Sequence, residues 1–269
     1  MRKKVTIVIS NYYKGDYIQE AVESVLNQTY KSFQVVVIDD TDGRDGIRDR
    51  LDYYFNARKM NIYLYYSNNI GLSALRNLGA KKSEGKYLLY LDADDKLHNQ
   101  FLEKTVDILD NSDEQTAFAY TDTQHFGSAD TCWIQPEYDF NRLLDNNYIC
   151  SCSLIKRSAF NLVDGFDERN FNYWEDYEFW IAIGAMGLYG KHIPEKLFYY
   201  RIHSESGMQS KRNSILSNLY KAYIISKFPG LYSSDVCTIA NTIIKTYPGD
   251  IMSWTPHKQE EYLKDEGLI

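Results

Sequence analysis

The stretch YLLYLDADDKL, residues 87–97, sets three carboxylates, Asp92, Asp94 and Asp95, directly behind a strand-like run from Tyr87 to Leu91. Like charges this close repel one another, and an unpaired buried carboxylate is costly. A hard divalent cation would resolve the conflict. Asp92 and Asp94, two apart at a strand end, can share Mg²⁺ or Mn²⁺, which prefer oxygen ligands and keep positions open for phosphate oxygens. The same acids also suit a plainer purpose, with Asp94 or Asp95 capping the turn that follows. A second pair, Asp39-Asp40, closes another apolar run and could accept hydrogen bonds from a base N–H or a ribose hydroxyl. Arg76, just ahead of the acidic strand, could counter a diphosphate charge. Each of these groups is equally compatible with a solvated surface.

Two further candidates lie later in the chain. In NYWEDYEFW, Asn172 is placed to cap a helix and to leave Glu175 and Asp176 in its first turn. The helix dipole there favours an ionised carboxylate able to accept a proton. Charge complementarity at a helix terminus explains one acid easily. It explains less well a pair set between Trp174 and the aromatic run Tyr177, Phe179, Trp180. His203, in YYRIH, reads either as a structural residue or, near a diphosphate and a metal, as a further ligand.

The elements that must position these groups follow from periodicity. VTIVIS (5–10), FQVVVIDD (33–40), NIYLYY (61–66) and KYLLYLDADD each read as a buried strand. Between the first two, Ile18, Ala21, Val22, Val25 and Leu26 recur at the spacing of one helical face, and Asp16 with Gln19 resembles an N-cap and its capping-box partner. A polar helical stretch follows the second strand. GLSALRNLGAKKSEG (71–85) is a helix with Leu72, Leu75 and Gly79 on one side and Gly85 as its stop. Strand and helix alternating in this way predict right-handed crossovers and a parallel sheet covered on both faces. Ligands bind such sheets beyond the carboxyl ends of the strands. If the second and fourth strands are neighbours, four acids meet in one crevice.

Beyond residue 100 the rhythm loosens. A helix with Phe101, Val106 and Leu109 inward is followed by strands over AFAYTDTQHF, YICSCSLIK and KLFYYRIH (196–203), with an amphipathic helix over 173–187 before the last of them. From Ser206 onward the pattern is helical and modestly polar. The organisation expected is one compact α/β domain over residues 1–205, split into a ligand-binding half (1–98) and an acceptor half (99–205), with a C-terminal helical extension over 206–269. In that extension SILSNLYKAYIISKF places Ile215, Leu219, Ala222, Tyr223 and Ser226 at helical spacing with Lys221 and Lys227 nearby. This suits a helix packed on the domain, or one meeting a membrane surface or partner.

Composition narrows the classes. A net charge of -7 and a pI near 5.3 argue against binding along a nucleic-acid backbone. No apolar run approaches the ~20 residues of a membrane span, and the apolar run after the initial MRKK is too short for a signal peptide. Cys132, Cys150, Cys152 and Cys237 lack metal-ligand or redox spacing and read as free thiols. The chain is therefore read as cytoplasmic.

Taken in order, VTIVISNYY…AVESVLNQTY…VVVIDD…NNIGLSALRNLGAKKSEGKYLLYLDADD, then VDGFDE, WEDYEFW and YYRIH, the sequence resembles the family 2 inverting nucleotide-sugar glycosyltransferases from about residue 5 to 204. The resemblance implies the GT-A fold, a Rossmann-like, mostly parallel central sheet flanked by helices. It also implies Mn²⁺ or Mg²⁺, a nucleotide-diphosphate sugar donor, usually a UDP-sugar, and a hydroxyl acceptor on a glycan or lipid-linked saccharide. Carried over by position, Asp40 and the backbone near Asn11 would hold the base, and Arg76 and Asp92 would contact the nucleotide. Asp94 would bind the metal, with His203 helping to hold metal or diphosphate. Asp176 would be the general base, with Glu175 and Trp174 on the acceptor side. A lipid-linked acceptor would bring the chain to the inner face of the membrane as a peripheral protein.

The chain departs from the family pattern in four places. Ser10 and Asn11 stand where Pro and then Thr or Ala are usual, and Tyr13 stands where Asn is. DDTDGRDG replaces DDGSTDG, and Asp164 replaces Gly in VDGFDE. The same acids and metal could also serve a nucleotidyl- or phosphotransferase, which needs no glycosyl acceptor. A catalytically silent nucleotide-sugar binding module would keep the acidic crevice but has no use for Asp176.

Overall fold

The computed structural model describes residues 4–57, 62–169, 174–204, 207–251, 254 and 256–267. Its first half alternates as the periodicity predicts: β1 (Val5–Asn11), α1 (Ile18–Leu26), β2 (Phe33–Asp39), α2 (Ile47–Ala57), β3 (Ile62–Tyr66), α3 (Leu72–Lys81) and β4 (Tyr87–Asp92). The second half adds β5 (Lys96–Leu97), α4 (Phe101–Asp110), β6 (Thr116–Gly127), β7 (Cys132–Trp133), α5 (Phe140–Asp145), β8 (Leu154–Lys156), α6 (Arg157–Leu162), α7 (Glu175–Ala185) and β9 (Tyr189–Ile202). Helices α8 (Gly207–Lys227), α9 (Ser234–Ile244) and α10 (Pro256–Asp265) follow.

One sheet joins the strands in the order β3-β2-β1-β4-β8-β6-β9-β5, with β7 paired to β6. The four strands of the first half are parallel, and β8 joins β4 antiparallel. Beyond it β6 and β9 run parallel to each other. The crossover from β3 through α3 to β4 returns the chain to the far side of β1, so β2 and β4 flank β1 rather than touch. The condition for the acids of the second and fourth strands to meet as neighbours is therefore not met, and β1 stands between them. Asn11 lies in register with Asp39, and Ser10 with Asp92.

Continuous apolar strands bury both faces. Val5, Ile7 and Ile9 pack with Val22 and Val25 of α1 and Phe101 and Val106 of α4. Val8, on the opposite face, joins Leu75 of α3, Phe160 of α6 and Phe179 and Trp180 of α7. Gly79 lets α3 lie against β1, since a Cβ there would stand 2.3 Å from Val8 Cγ1.

Three local expectations differ from the structure. Tyr17 takes the N-cap position of α1 without a side-chain cap, because Asp16 pairs with Arg50 and Gln19 donates to the Arg50 carbonyl. Helix α3 ends at Lys81, four residues before Gly85. Of YICSCSLIK only Leu154–Lys156 is strand; the CSC portion turns, with the Ser153 hydroxyl bonding back to the Cys150 carbonyl.

The C-terminal helices pack on the domain. Leu219 and Ala222 of α8 are buried as the spacing predicts, and Trp174 joins a cluster with Leu216, Leu219 and Tyr220. The Ile215 side chain lies outside the described residues. No helix among the described residues is long and apolar enough to cross a membrane.

Candidate active site

The three acids after β4 take three different roles. Asp95 is buried, and its Oδ1 accepts the Arg201 backbone N–H at 2.8 Å, fastening the β4 end to β9. Asp94 turns the other way: its Oδ2 lies 2.7 Å from His203 Nε2 and 3.1 Å from Lys14 Nζ. Asp92, half-buried, faces Arg76 Nη2 at 3.6 Å. Burial raises its carboxyl above the usual carboxylate range; Arg76 opposes that shift, while Asp94 and Glu175 reinforce it.

Arg76 is fully buried and does not offer itself to solvent as a free diphosphate partner. Its Nη1 donates to Glu175 Oε1 at 2.5 Å, and the guanidinium lies over the Phe166 ring at 5.3 Å. Its Nε–H has no hydrogen-bond partner among the described residues. The Glu175 side chain is thus engaged beneath the surface, away from the acceptor-side contact expected of it. Trp174 likewise packs between Tyr177 and the α8 cluster.

Trp174 occupies the N-cap of α7 in the left-handed region, with φ 60°, while Asn172, the expected cap, lies outside the described residues. Asp176 Oδ1 accepts its neighbour's N–H, from Tyr177, at 2.7 Å, and Oδ2 accepts from Asn147 Nδ2 at 3.2 Å. Its carboxyl is pushed up to about 7, first by burial and then by the Glu175 charge, against the lowering pull of Arg76. The helix dipole was expected to keep this acid firmly ionised. Burial outweighs the dipole, and the result is a carboxylate that accepts protons near neutrality.

At the β2 end the two aspartates divide their work. Asp39 is sealed inside, accepting from Asn11 Nδ2, from the Thr41 N–H and hydroxyl, and from the Gly43 N–H. Asp40 accepts the backbone N–H groups of Ile70 and Gly71. It therefore holds the turn that enters α3. Thus Asn11 and Asp40 stand together at the carboxyl edge, while Asp92, Asp94, Arg76, Glu175, Asp176 and His203 form a continuous polar group beside them.

Asp94 and His203 suit a small divalent cation. Ligands ~2.1 Å from such an ion and adjacent in its octahedron lie ~3 Å apart, and these two atoms are 2.7 Å apart. No group of three His, Cys, Asp or Glu side chains that could hold a metal occurs among the described residues. A cation held here by this pair would keep most positions open for a ligand's oxygens. Lys14, the ammonium already beside both atoms, is a stand-in of the same charge sign.

The model of glycosyl transferase family 2 matches residues 6–163. The chain belongs to that family. It is 27% identical over 224 residues to TuaG of Bacillus subtilis, a protein named for teichuronic acid biosynthesis, with 81% of this chain and 83% of that protein covered. It is 26% identical over 226 residues to the Escherichia coli UDP-Glc:alpha-D-GlcNAc-diphosphoundecaprenol beta-1,3-glucosyltransferase WfaP, with 81% and 86% covered. Among solved structures it superposes on the Pyrobaculum calidifontis mannosyltransferase PcManGT, in complex with GDP-Man and Mn²⁺, with a TM-score of 0.61 at 15% identity, covering 100% of this chain and 87% of that one. The protein is a family 2 glycosyltransferase with the GT-A fold.

The site also contains residues this glycosyltransferase's sequence did not single out. Lys14 and Asn147 lie in loops, where periodicity carries no signal. Asp45 accepts from both Asn11 Nδ2 and the Gly15 N–H, so DDTDGRDG still braces the β1–α1 loop despite its altered residues. Tyr13 and Asp164, two departures from the family pattern, both have φ in the left-handed region, at 52° and 61°. The Asn and Gly usual at those positions adopt that conformation with less strain.

Proposed function

We propose that the enzyme is a metal-dependent inverting transferase that moves a sugar from a nucleotide-diphosphate donor, a UDP-sugar, to a hydroxyl of a glycan or lipid-linked saccharide. The observation that carries this reading is Arg76. Its guanidinium faces Asp92 on the donor strand and bonds Glu175 at the head of α7, which unites the phosphate-side acids and a proton acceptor in one site. The names of TuaG and WfaP, one a polysaccharide-building enzyme and the other a UDP-Glc transferase acting on a diphospholipid, support the acceptor and donor classes.

In this reading Asn11 and Asp40 frame the base at the edge of β1 and β2, while Asp92 contacts the nucleotide. Arg76 stays buried beneath Asp92 and Glu175 and opposes the rise that burial imposes on the Asp92 carboxyl. Asp94 and His203 would hold Mn²⁺ or Mg²⁺, which supplies charge neutralisation for a diphosphate leaving group. Asp176 takes the proton of the acceptor hydroxyl, steered by the Asn147 and Tyr177 donors. The acceptor oxygen forms its bond to the anomeric carbon as the carbon–oxygen bond to the diphosphate breaks, and the electron pair leaves with the diphosphate. One displacement inverts the configuration and needs no protein nucleophile. With a lipid-linked acceptor, the enzyme works at the inner face of the membrane as a peripheral protein.

Asp176→Asn tests this reading. It keeps the side chain's size and removes proton acceptance, so transfer should fall by ~10²–10⁴ while donor affinity is retained. Product formation with a competent donor–acceptor pair, measured beside donor binding, decides it. Near wild-type transfer would move the base elsewhere, and a phosphotransferase built on the metal site alone would hardly notice the change.

A further inference from the structure

Lys14 has no part in the expected site, yet its ammonium is 3.1 Å from Asp94 Oδ2 and 3.1 Å from His203 Nε2. Those two atoms are themselves 2.7 Å apart. The three contacts cannot all be hydrogen bonds at once. To donate to the Asp94 carboxylate, Nε2 must carry a proton; to accept from the Lys14 ammonium, it must not. Two of the three are cation ligands and the third is a cation. The arrangement is that of an ion site filled by the protein's own charge.

The Lys14 backbone is fixed by hydrogen bonds of its loop, while its side chain is held by the Asp94 and His203 contacts. Its N–H donates to Asn11 Oδ1, and the next N–H, of Gly15, donates to Asp45 Oδ2 at 2.7 Å. The side chain is 39% exposed, against 15% for Asp94, and a flexible four-carbon stem can swing about that anchor. We infer that Lys14 is a resident counter-ion with two positions: inward between Asp94 and His203 when no divalent cation is bound, and outward onto the donor's diphosphate when one is. This rests on the nucleotide-diphosphate reading above.

The consequence is a coupling between metal and donor. A divalent cation arriving alone must expel the ammonium from its acid partner, and the expelled charge gains nothing in return. When a diphosphate arrives with the cation, Lys14 exchanges one anion for another. Lys14 therefore weakens binding of metal alone and strengthens binding of diphosphate with metal, and the linkage is reciprocal.

Lys14→Met keeps most of the stem and removes the charge. Mn²⁺ binding without nucleotide, and UDP binding at saturating Mn²⁺ (GDP if UDP does not bind), would be measured by calorimetry on wild type and variant. The variant should bind Mn²⁺ alone about tenfold more tightly and the nucleoside diphosphate about tenfold more weakly, the scale of one charge-assisted contact. Lys14→Arg should keep the wild-type nucleotide affinity. Changes of opposite sign are the signature, since a merely structural lysine would weaken both when lost. Any other pattern, with wild-type binding intact, overturns the role of Lys14 alone. A wild-type protein that binds neither Mn²⁺ nor either nucleotide overturns the reading of the site and this inference together.

Discussion

Under the proposed mechanism, a carboxyl raised toward neutrality ties the rate to pH. As the proposed base, Asp176 must be ionised to accept a proton, and its carboxyl is raised to about 7 by burial and by Glu175. kcat/KM should therefore fall with unit slope as pH drops through about 7. Glu175→Gln removes the charge that raises Asp176 and frees Arg76 to lower it, so the acidic limb should move to lower pH; a pH–rate profile of the two proteins checks the direction. The same raised value works against stability. The folded state holds the proton more tightly than the unfolded chain, so this group's contribution is most favourable at acid pH and declines as pH rises through about 7. Asp176→Asn, inactive, should then melt a few degrees higher than wild type at pH 8. Backbone strain adds a second residue-scale case. Tyr13 sits at φ 52° with its ring exposed, so Tyr13→Asn should stabilise by roughly 0.5–1 kcal/mol in chemical denaturation.

Helix α7 carries Asp176, the proposed base, and α8 holds α7. The Lys227 ammonium pairs with Glu178 Oε1 of α7 at 2.6 Å and with Asp167 Oδ2 of the preceding loop at 2.8 Å. Tyr223, one turn back on α8, donates its hydroxyl to the same Asp167 oxygen. Burial raises the Glu178 carboxyl, and Lys227 opposes it. Removing the Lys227 cation leaves the Glu178 carboxylate, 2% exposed, facing Asp167, which is 6% exposed and keeps its pair with Arg169. Lys227→Met should cost about 1–3 kcal/mol, below the full cost of breaking a buried pair because Lys227 itself reaches water. It should also lower kcat more than it raises the donor KM, since the donor strands lie on other elements. Lys227→Arg should restore most of both. A denaturation midpoint and a kcat-against-KM split separate this from a surface charge of no consequence.

For the whole molecule, the donor is tested by ligand-induced stability. A ligand that binds only the folded state raises the melting temperature by mass action. UDP with Mn²⁺ should raise it more than GDP or CMP does, and equal shifts would leave the uridine reading without support. The C-terminal helices bear on the same measurement. Trp174 is packed both in the α7 core and against Leu216 and Tyr220 of α8, so a chain ending at residue 205 should lose cooperative melting.

Much of this architecture was legible from local pattern alone. Unbroken apolar strands alternating with amphipathic helices specify a parallel sheet buried on both faces, because nothing else buries both sides of such a strand, and its carboxyl edge is then the ligand edge. Asp92, Asp94, Asp176 and His203 could be named because their types carry chemistry and their order matches a family. Their division of labour could not be read the same way. Asp39, Asp40 and Asp95 look no different in sequence from Asp92 and Asp94, yet Asp39 and Asp95 hold a loop and a strand, and Asp40 holds the turn into α3 beside its proposed place at the nucleotide base. Burial, too, is a property of the fold. With the Glu175 charge it lifts Asp176 toward neutrality against its helix dipole, and it places Arg76 under the acids. Lys14 and Lys227 carry no periodic signal at all. Each meets its partners across a sequence separation of 49 residues or more, in contacts such as Lys227–Glu178 and Lys14–His203, and only closure of the tertiary structure brings such groups within reach.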